Sequence, residues 1–435
     1  MRFKNTSLIF LGKLTSKLIS IFSLGAGSTW PGHLVLNLNK QFISEVLSQN
    51  QNLKIVLIAG TNGKTTTSTL LKSILENNSY KVFQNEEGAN LLNGLTSSLV
   101  KNSSLVGKID KNVAIFEVDE ASLPLVLQQI IPTAVVLLNL FRDQLDRYGE
   151  VDLIGTKWAE TLKSLSKQTT VFLNADDPQI AYLAKNLKAT VYFFGLQTKF
   201  LTQKEIPHDV DSVYCPSCSQ KLFYNELSYS HLGDYYCRNC GFKRPKITHV
   251  NDLVSPLEGL YNLYNLYAAA LVCNKLFNIS DDRIKKVLPR FKTAFGRQEE
   301  IVYKNKKFFL ILSKNPTGFN QSISVVVKKF KPKKDSLLLV LNDKIPDGRD
   351  VSWIWDVDFE DLPQARHLYI AGDRAYDMAL RLKYADITDF EVFKSLNEAV
   401  DKIVKEVSSN ATLFIMPTYS GMLEVRKILS GRKLL

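Results

Sequence analysis

Residues able to do chemistry fall into a few groups in this 435-residue chain, and the first is Gly60-Thr61-Asn62-Gly63-Lys64-Thr65-Thr66. Glycines at such a turn let backbone N–H groups approach phosphate oxygens, and a helix beginning there adds its positive end. Lys64 supplies a mobile charge for the β and γ phosphates of a nucleotide, and the Thr65 hydroxyl suits Mg²⁺. Ile58 stands where the strict G-x-x-x-x-G-K-[ST] pattern has its first glycine. The alternative is a chance glycine-rich turn. The β-prone run before the loop and the helix-forming stretch after it favour a phosphate cradle for ATP.

The second group is the carboxylate series ending the apolar run at 113–118. In a parallel sheet the C-terminal strand ends share one crevice, so Glu117 would hang beside the phosphates and hold Mg²⁺. Asp119 and Glu120 read equally well as solvated loop charges.

The third group is cysteine. Cys215-Pro216-Ser217-Cys218 and Cys237-Arg238-Asn239-Cys240 form two C-x2-C turns separated by eighteen residues. Four thiolates so presented complete a closed tetrahedral Zn²⁺ shell, structural and not catalytic. Two disulfides are the alternative, disfavoured for an ATP enzyme without a secretory signal. His231 could enter that shell only by displacing a cysteine. Cys273 falls in an apolar helix and reads as core.

The elements that must position these groups alternate. Apolar runs at 55–59, 113–116, 134–138, 170–173 and 190–194 are expected strands with amphipathic stretches between most of them, the pattern of a doubly wound parallel sheet. An insertion at 209–245 breaks the rhythm, a Tyr/Ala-rich helix at 259–277 resumes it, and a further α/β unit begins near Gln298 with strands at 308–312, 337–341, 367–371 and 412–416. The division expected is 1–50, packing on a central ATP-binding domain at 51–297 that holds the 209–245 ribbon, then a Rossmann-like domain at 298–435.

The charge of +12 would suit an anionic partner, but the lysines are scattered and no basic helix interleaved with aromatics is present, so nucleic acid is not expected. Hydrophobic content of 45% against 23% charged residues excludes a largely disordered chain. Near the N-terminus, Lys13 and Lys17 interrupt the apolar stretch and leave it too short for a signal core or a membrane span. An amphipathic helix with Ile9, Leu11, Leu14, Leu18 and Ile21 is expected, packed on the body or else lying on a membrane surface.

Residues 60–67, Glu117 after its strand, Asn139-Leu140-Phe141-Arg142-Asp143-Gln144-Leu145-Asp146 and Asn174-Ala175-Asp176-Asp177-Pro178 resemble, in order, the central domain of the Mur ligases. Gly259-Leu260-Tyr261-Asn262-Leu263-Tyr264-Asn265 resembles the start of that family's adenine-contacting helix, and Gly296-Arg297 its hinge into the C-terminal domain. Asn174, Asn262, Asn265 and Arg297 thereby become cofactor-binding candidates. The cysteine ribbon, residues 25–32, residues 347–356 and residues 416–420 resemble the amidating branch of the family.

That resemblance implies amidation of the D-glutamate α-carboxylate in the lipid II stem peptide, through an acyl phosphate, with ammonia from a separate GatD-like glutaminase in a heterodimer. It implies ATP, Mg²⁺ and Zn²⁺ as cofactors, and a cytoplasmic enzyme at the inner membrane face. The residues agree on one point: four of five cysteines are engaged and Cys273 lacks a nucleophile context, so the ammonia arises outside this chain. Asp350, in the charged tryptophan-bearing stretch 347–356, is the expected carboxylate at the ammonia entry, with Asp347 and Asp356 as second choices. Alternatively Asp350 caps a helix near Ser352.

The chain also departs from the family. Gln144 replaces a metal-binding His, and Lys157 misses the spacing of a carbamylated lysine and reads as a helix-surface residue. Ile311-Leu312-Ser313-Lys314-Asn315-Pro316 lacks the family's ribose-contacting acid. The rival readings are a stand-alone Mur-type or folylpolyglutamate-synthase-like amino-acid ligase, and a non-catalytic nucleotide-gated scaffold.

Overall fold

The computed structural model describes residues 2–22, 29–86, 88–143, 151–248, 252–293 and 296–431. Its first sheet is built on β1 (Lys54–Ala59), an apolar run whose side chains divide between two cores. Val56 and Ile58 enter one, and Ile55, Leu57 and Ala59 the other. Only a strand covered on both faces tolerates that composition. With β2 (Val82–Gln84), β3 (Val113–Val118), β4 (Ala134–Leu137), β5 (Thr170–Asn174) and β6 (Thr190–Phe194) it forms a wholly parallel sheet of order β2-β3-β1-β4-β5-β6. The helix Leu260–Phe277, buried along most of its length, packs against the helix Lys64–Glu76 that follows the phosphate loop.

The insertion carries an antiparallel hairpin, β7 (Phe223–Tyr229) and β8 (Leu232–Tyr236). Its base is tied to the central unit. Tyr264 Oη donates to Asp176 Oδ2 at 2.6 Å and lies 2.9 Å from Ser228 Oγ, while Arg244 Nε donates to Asp176 Oδ1 at 2.8 Å. Burial pushes the Asp176 carboxyl up against the pull of Arg244.

The second sheet runs β13-β12-β11-β14-β10-β9, from β9 (Arg297–Tyr303), β10 (Lys306–Ile311), β11 (Ser336–Val340), β12 (Leu368–Ala371), β13 (Glu391–Val392) and β14 (Thr412–Pro417). All its pairings are parallel except that of the edge strand β9 with β10.

The helix Arg2–Phe22 packs on the body through Leu8 and Ile9, and Gly12 lets it approach so closely that a Cβ there would lie 2.9 Å from Val100 Cγ1. This corrects the expected apolar face. Of Ile9, Leu11, Leu14, Leu18 and Ile21, only Ile9 is buried. Among the described residues no helix is long and apolar enough to cross a membrane.

Candidate active site

A cavity of about 220 Å³ lies where the phosphate loop of the first sheet meets residues 296–322 leading into and out of the second. The loop's shape follows from its neighbours. Gly63 (φ 92°) stands where a Cβ would lie 2.1 Å from Asn265 Oδ1, and Gly60 (φ 140°) where one would lie 2.9 Å from Leu138 Cβ. Both the backbone angle and the space exclude a side chain. The segment after β4 laces the loop down: Asn62 N donates to Asn139 Oδ1 at 2.9 Å, Asn139 Nδ2 to Asn62 O at 3.1 Å, and Phe141 N to Thr61 Oγ1 at 3.0 Å.

The pairing of Ile58 with Glu117 across β1 and β3 sets that carboxylate beside the loop. Glu117 is buried and accepts from Thr65 Oγ1 at 2.8 Å and Ser68 Oγ at 2.7 Å. Two hard oxygens at that spacing fit adjacent corners of an octahedral Mg²⁺ shell, where Mg–O lengths of about 2.1 Å imply about 3.0 Å between neighbours. Lys64 Nζ lies 2.5 Å from Gly60 O and 3.2 Å from both Glu120 oxygens. Glu120 and Asp119 are buried and line the cavity, so neither is a solvated loop charge. Burial holds the Glu120 carboxyl above its ordinary range, against the pull of Lys64 and Lys314.

Lys314 was not singled out by its sequence as a site residue. It reaches across from the second unit to an ion pair with Asp143 and lines the cavity. Burial opposes its charge, but Asp143 and Glu120 outweigh that and hold the ammonium above the usual lysine range. Next to it, Asn315 caps the helix Pro316–Lys329, accepting from Gly318 N at 2.8 Å, and donates to Asn62 Oδ1 at 3.1 Å. Two ammonium groups thus stand among Glu117, Glu120 and Asp143. The only signals were a lysine in the degenerate motif 311–316 and the Asp143 position of a family motif.

At the other end, Tyr261, Asn262, Asn265, Arg297 and Gln298 line the cavity. Asn265 Nδ2 donates to Asn262 Oδ1 at 3.2 Å, and Thr67 Oγ1 donates to Asn265 Oδ1 at 3.3 Å. Tyr229, from the ribbon hairpin, closes one wall.

One expectation is corrected, and a second residue lies apart from the cavity. Asn174 is fully buried away from the cavity lining; its Nδ2 donates to Leu138 O at 2.9 Å and its Oδ1 accepts from Asp176 N at 3.0 Å, so its polar atoms already serve the strand end. Asp350 also does not reach the cavity. It is exposed, accepts from Ser352 N at 2.8 Å just ahead of the 3₁₀ turn Ser352–Asp356, whose N-cap position is Val351, and borders a separate hollow with Arg349, Trp355, Arg374 and Asp377. That backbone hydrogen bond holds its carboxyl below the ordinary range.

Asp347 is buried and accepts from Ser420 N at 2.8 Å, and Asp356 pairs with Arg142 at 3.2 Å. Lys157 is exposed on the helix Val151–Leu162. Gln144 and residues 25–28 lie outside the described residues.

The four thiols at 215, 218, 237 and 240 lie with their sulfurs within 4.8 Å of one another. Cys215 and Cys240 are 3.6 Å apart and Cys218 and Cys237 3.5 Å, with no disulfide between them. A Zn–S length of about 2.3 Å implies about 3.8 Å between sulfurs of a tetrahedral shell, so the cluster fits that ion. His231 stands apart, fully buried, 4.7 Å from the Phe141 ring centroid with Nε2 3.4 Å from Asp177 Oδ2. Cys273 is buried, and burial pushes its thiol far above the usual range.

The fold is that of a Mur ligase. A MurF ligase from Thermotoga maritima, solved in complex with ADP, superposes with TM-score 0.63 over 91% of this chain and 84% of that one at 15% identity. A pseudomurein peptide ligase type C from Methanothermus fervidus gives TM-score 0.62 over 92% and 84% at 23% identity. The Mur ligase middle domain family matches residues 58–273, and the MurT ligase C-terminal family matches residues 312–422.

Two relatives are described as lipid II isoglutaminyl synthase (glutamine-hydrolyzing) subunit MurT. That of Streptococcus pneumoniae (strain ATCC BAA-255 / R6) is 31% identical over 100% of this chain and 99% of its own length. That of Staphylococcus aureus (strain COL) is 33% identical over 86% and 88%. The chain belongs to the MurT family.

Proposed function

We propose that this chain is the ATP-binding subunit of an amidoligase that converts the D-glutamate α-carboxylate of the lipid II stem peptide to D-isoglutamine in peptidoglycan synthesis. The observation that carries the reading is the Lys64, Thr65 and Glu117 constellation in a cleft that the second α/β unit completes with Lys314, in a chain whose full-length relatives bear that activity in their names. We further take residues 51–297 as the nucleotide-binding unit and 298–435 as the unit that closes over it.

ATP converts the unreactive carboxylate into an acyl phosphate with release of ADP, and ammonia then displaces phosphate as its nitrogen loses a proton. The chain's part is positioning and charge. Backbone N–H groups of 60–66 cradle the phosphates, and Lys64, drawn off Glu120, follows the transferring group. Thr65 and Glu117 would hold a Mg²⁺, which would supply charge screening at the phosphates. Lys314, steadied by Asp143, supplies a second fixed positive charge from the opposite wall. Asn262, Asn265 and Arg297 fit the adenosine end.

Ammonia comes from a separate glutaminase subunit. The buried Cys273 and the ribbon thiols, which suit a structural Zn²⁺, offer no nucleophile for glutamine hydrolysis. Asp350, exposed and outside the ATP cavity, is the carboxylate that meets the partner where ammonia is delivered. Incubating the purified chain with ATP, the lipid-linked precursor and either ammonium or free amino acids tests the reading. Amide formation with ammonium is expected; incorporation of an amino acid instead would overturn it.

A further inference from the structure

The helix Arg2–Phe22 is apolar on two opposite faces. One, with Leu8, Ile9 and Gly12, packs on the body. The other carries Phe10 (56% exposed), Leu11 (36%), Leu14 (41%), Leu18 (44%) and Ile21 (63%), and none of them is part of a core. At about 100° per residue these five positions share one outward arc of about 100°, with Lys13 and Lys17 along one edge of it. Isolated exposed apolar residues need no explanation, whereas a continuous apolar stripe over three turns does.

Charge identifies what covers it. Residues 1–44 contain Arg2, Lys4, Lys13, Lys17 and Lys40 and no Asp or Glu; the first acid, Glu45, is turned inward onto Asn5 and Asn39. Lys17 is exposed, and Lys13 reaches only the Lys101 carbonyl at 3.4 Å. A basic-edged apolar stripe on a helix unable to span a bilayer is the form that lies in a membrane interface.

We propose that the outward face of Arg2–Phe22 seats this protein on an anionic lipid bilayer, with Phe10, Leu14, Leu18 and Ile21 among the acyl chains and Lys13 and Lys17 at the headgroups. The geometry stands by itself. Its purpose, bringing the ATP cavity to a lipid-linked substrate, rests on the proposed function.

The test is flotation of the full chain with phosphatidylcholine vesicles, with and without a phosphatidylglycerol fraction. Binding to the anionic vesicles is expected. It should fall at least about tenfold in a Leu14→Glu/Leu18→Glu double variant and weaken, with loss of its salt sensitivity, in Lys13→Glu/Lys17→Glu. The thermal midpoint of the Leu14→Glu/Leu18→Glu variant should not move, because both side chains project outward, and that of Lys13→Glu/Lys17→Glu should move little, because Lys13 gives up one 3.4 Å contact with the Lys101 carbonyl.

A wild-type chain that stays in solution with both vesicle types, or a Glu double variant that floats as well as wild type, overturns the proposal. So does a wild-type dimer that the Glu double variant dissociates. Amidation of detergent-dispersed substrate, measured alongside, separates the two ideas. Activity without flotation removes only the membrane seat, and flotation without activity supports the seat while removing the functional reading.

Discussion

The phosphate cavity and the Asp350 loop both look functional in the sequence, and the molecule builds them in opposite ways. Around the cavity Glu117, Glu120 and Asp143 are buried, each is engaged by a hydroxyl or an ammonium group, and residues from both sheets enclose them. The Asp350 carboxylate is exposed, accepts from Ser352 N of its own turn, and sits on an open hollow. A site that must exclude water from a phosphoryl transfer is closed within one chain. On the proposed function, the difference fits phosphoryl transfer within this chain and the handling of ammonia at its junction with a partner.

The largest expected effect is on the enclosed side. Glu117→Gln keeps the shape but removes the proposed Mg²⁺ ligand, and should lower kcat for ATP-dependent amidation by about 10²-fold or more with ammonium as with glutamine. Steady-state rates with both donors check this. Equal rates in the variant and wild type would detach Glu117 from the reaction.

Asp350→Asn should divide the two donors. Glutamine-driven amidation in the complex should fall by at least about tenfold, while ammonium-driven amidation by the same preparation falls far less. An equal loss with both donors would place Asp350 in the phosphoryl chemistry, and unchanged glutamine-driven turnover at the wild-type thermal midpoint would leave it as a cap.

Metal removal comes next. Because the ribbon is fastened to Asp176 and Tyr264 and lends Tyr229 to the cavity wall, stripping Zn²⁺ should lower the thermal midpoint and weaken ATP binding together. Metal analysis with melting curves before and after chelation reads this. A metal-free preparation with an unchanged midpoint would contradict the structural role.

The smallest effect concerns His231. Burial works against its charge, but Asp177, Asp211 and Asp209 outweigh that and raise its folded pKa. The stabilisation is fully present below the unfolded value near 6.5 and is lost as pH rises through the folded one. The melting difference between wild type and His231→Gln should therefore be larger near about pH 6 than near about pH 9. A difference that grows with pH would reverse the sign.

Much of this architecture was legible because parallel strands buried on both faces are continuous apolar runs, as at 55–59 and 134–138. The edge strand β9 was not, since Gln298, Glu299 and Glu300 are polar and the two glutamates are at least partly exposed. The phosphate loop and the cysteine pairs could be read because their chemistry is local. Lys314 could not, because its value comes from Asp143, 171 positions away. Asn174 was misplaced for a related reason: a motif shows that a polar side chain is needed, and only geometry shows whether it serves the fold or the cavity. The N-terminal helix was expected to lay one apolar face on the body or on a membrane surface, but Gly12 brings a different face to the body and leaves all of the expected one except Ile9 outside.

The central claim is that this chain activates a carboxylate as an acyl phosphate. Precursor labelled with ¹⁸O in the D-glutamate α-carboxylate, turned over with ATP and ammonium, tests it most directly. Inorganic phosphate carrying one ¹⁸O from the carboxylate, in step with amide formed, is the predicted result. Amide formed with unlabelled phosphate would contradict it.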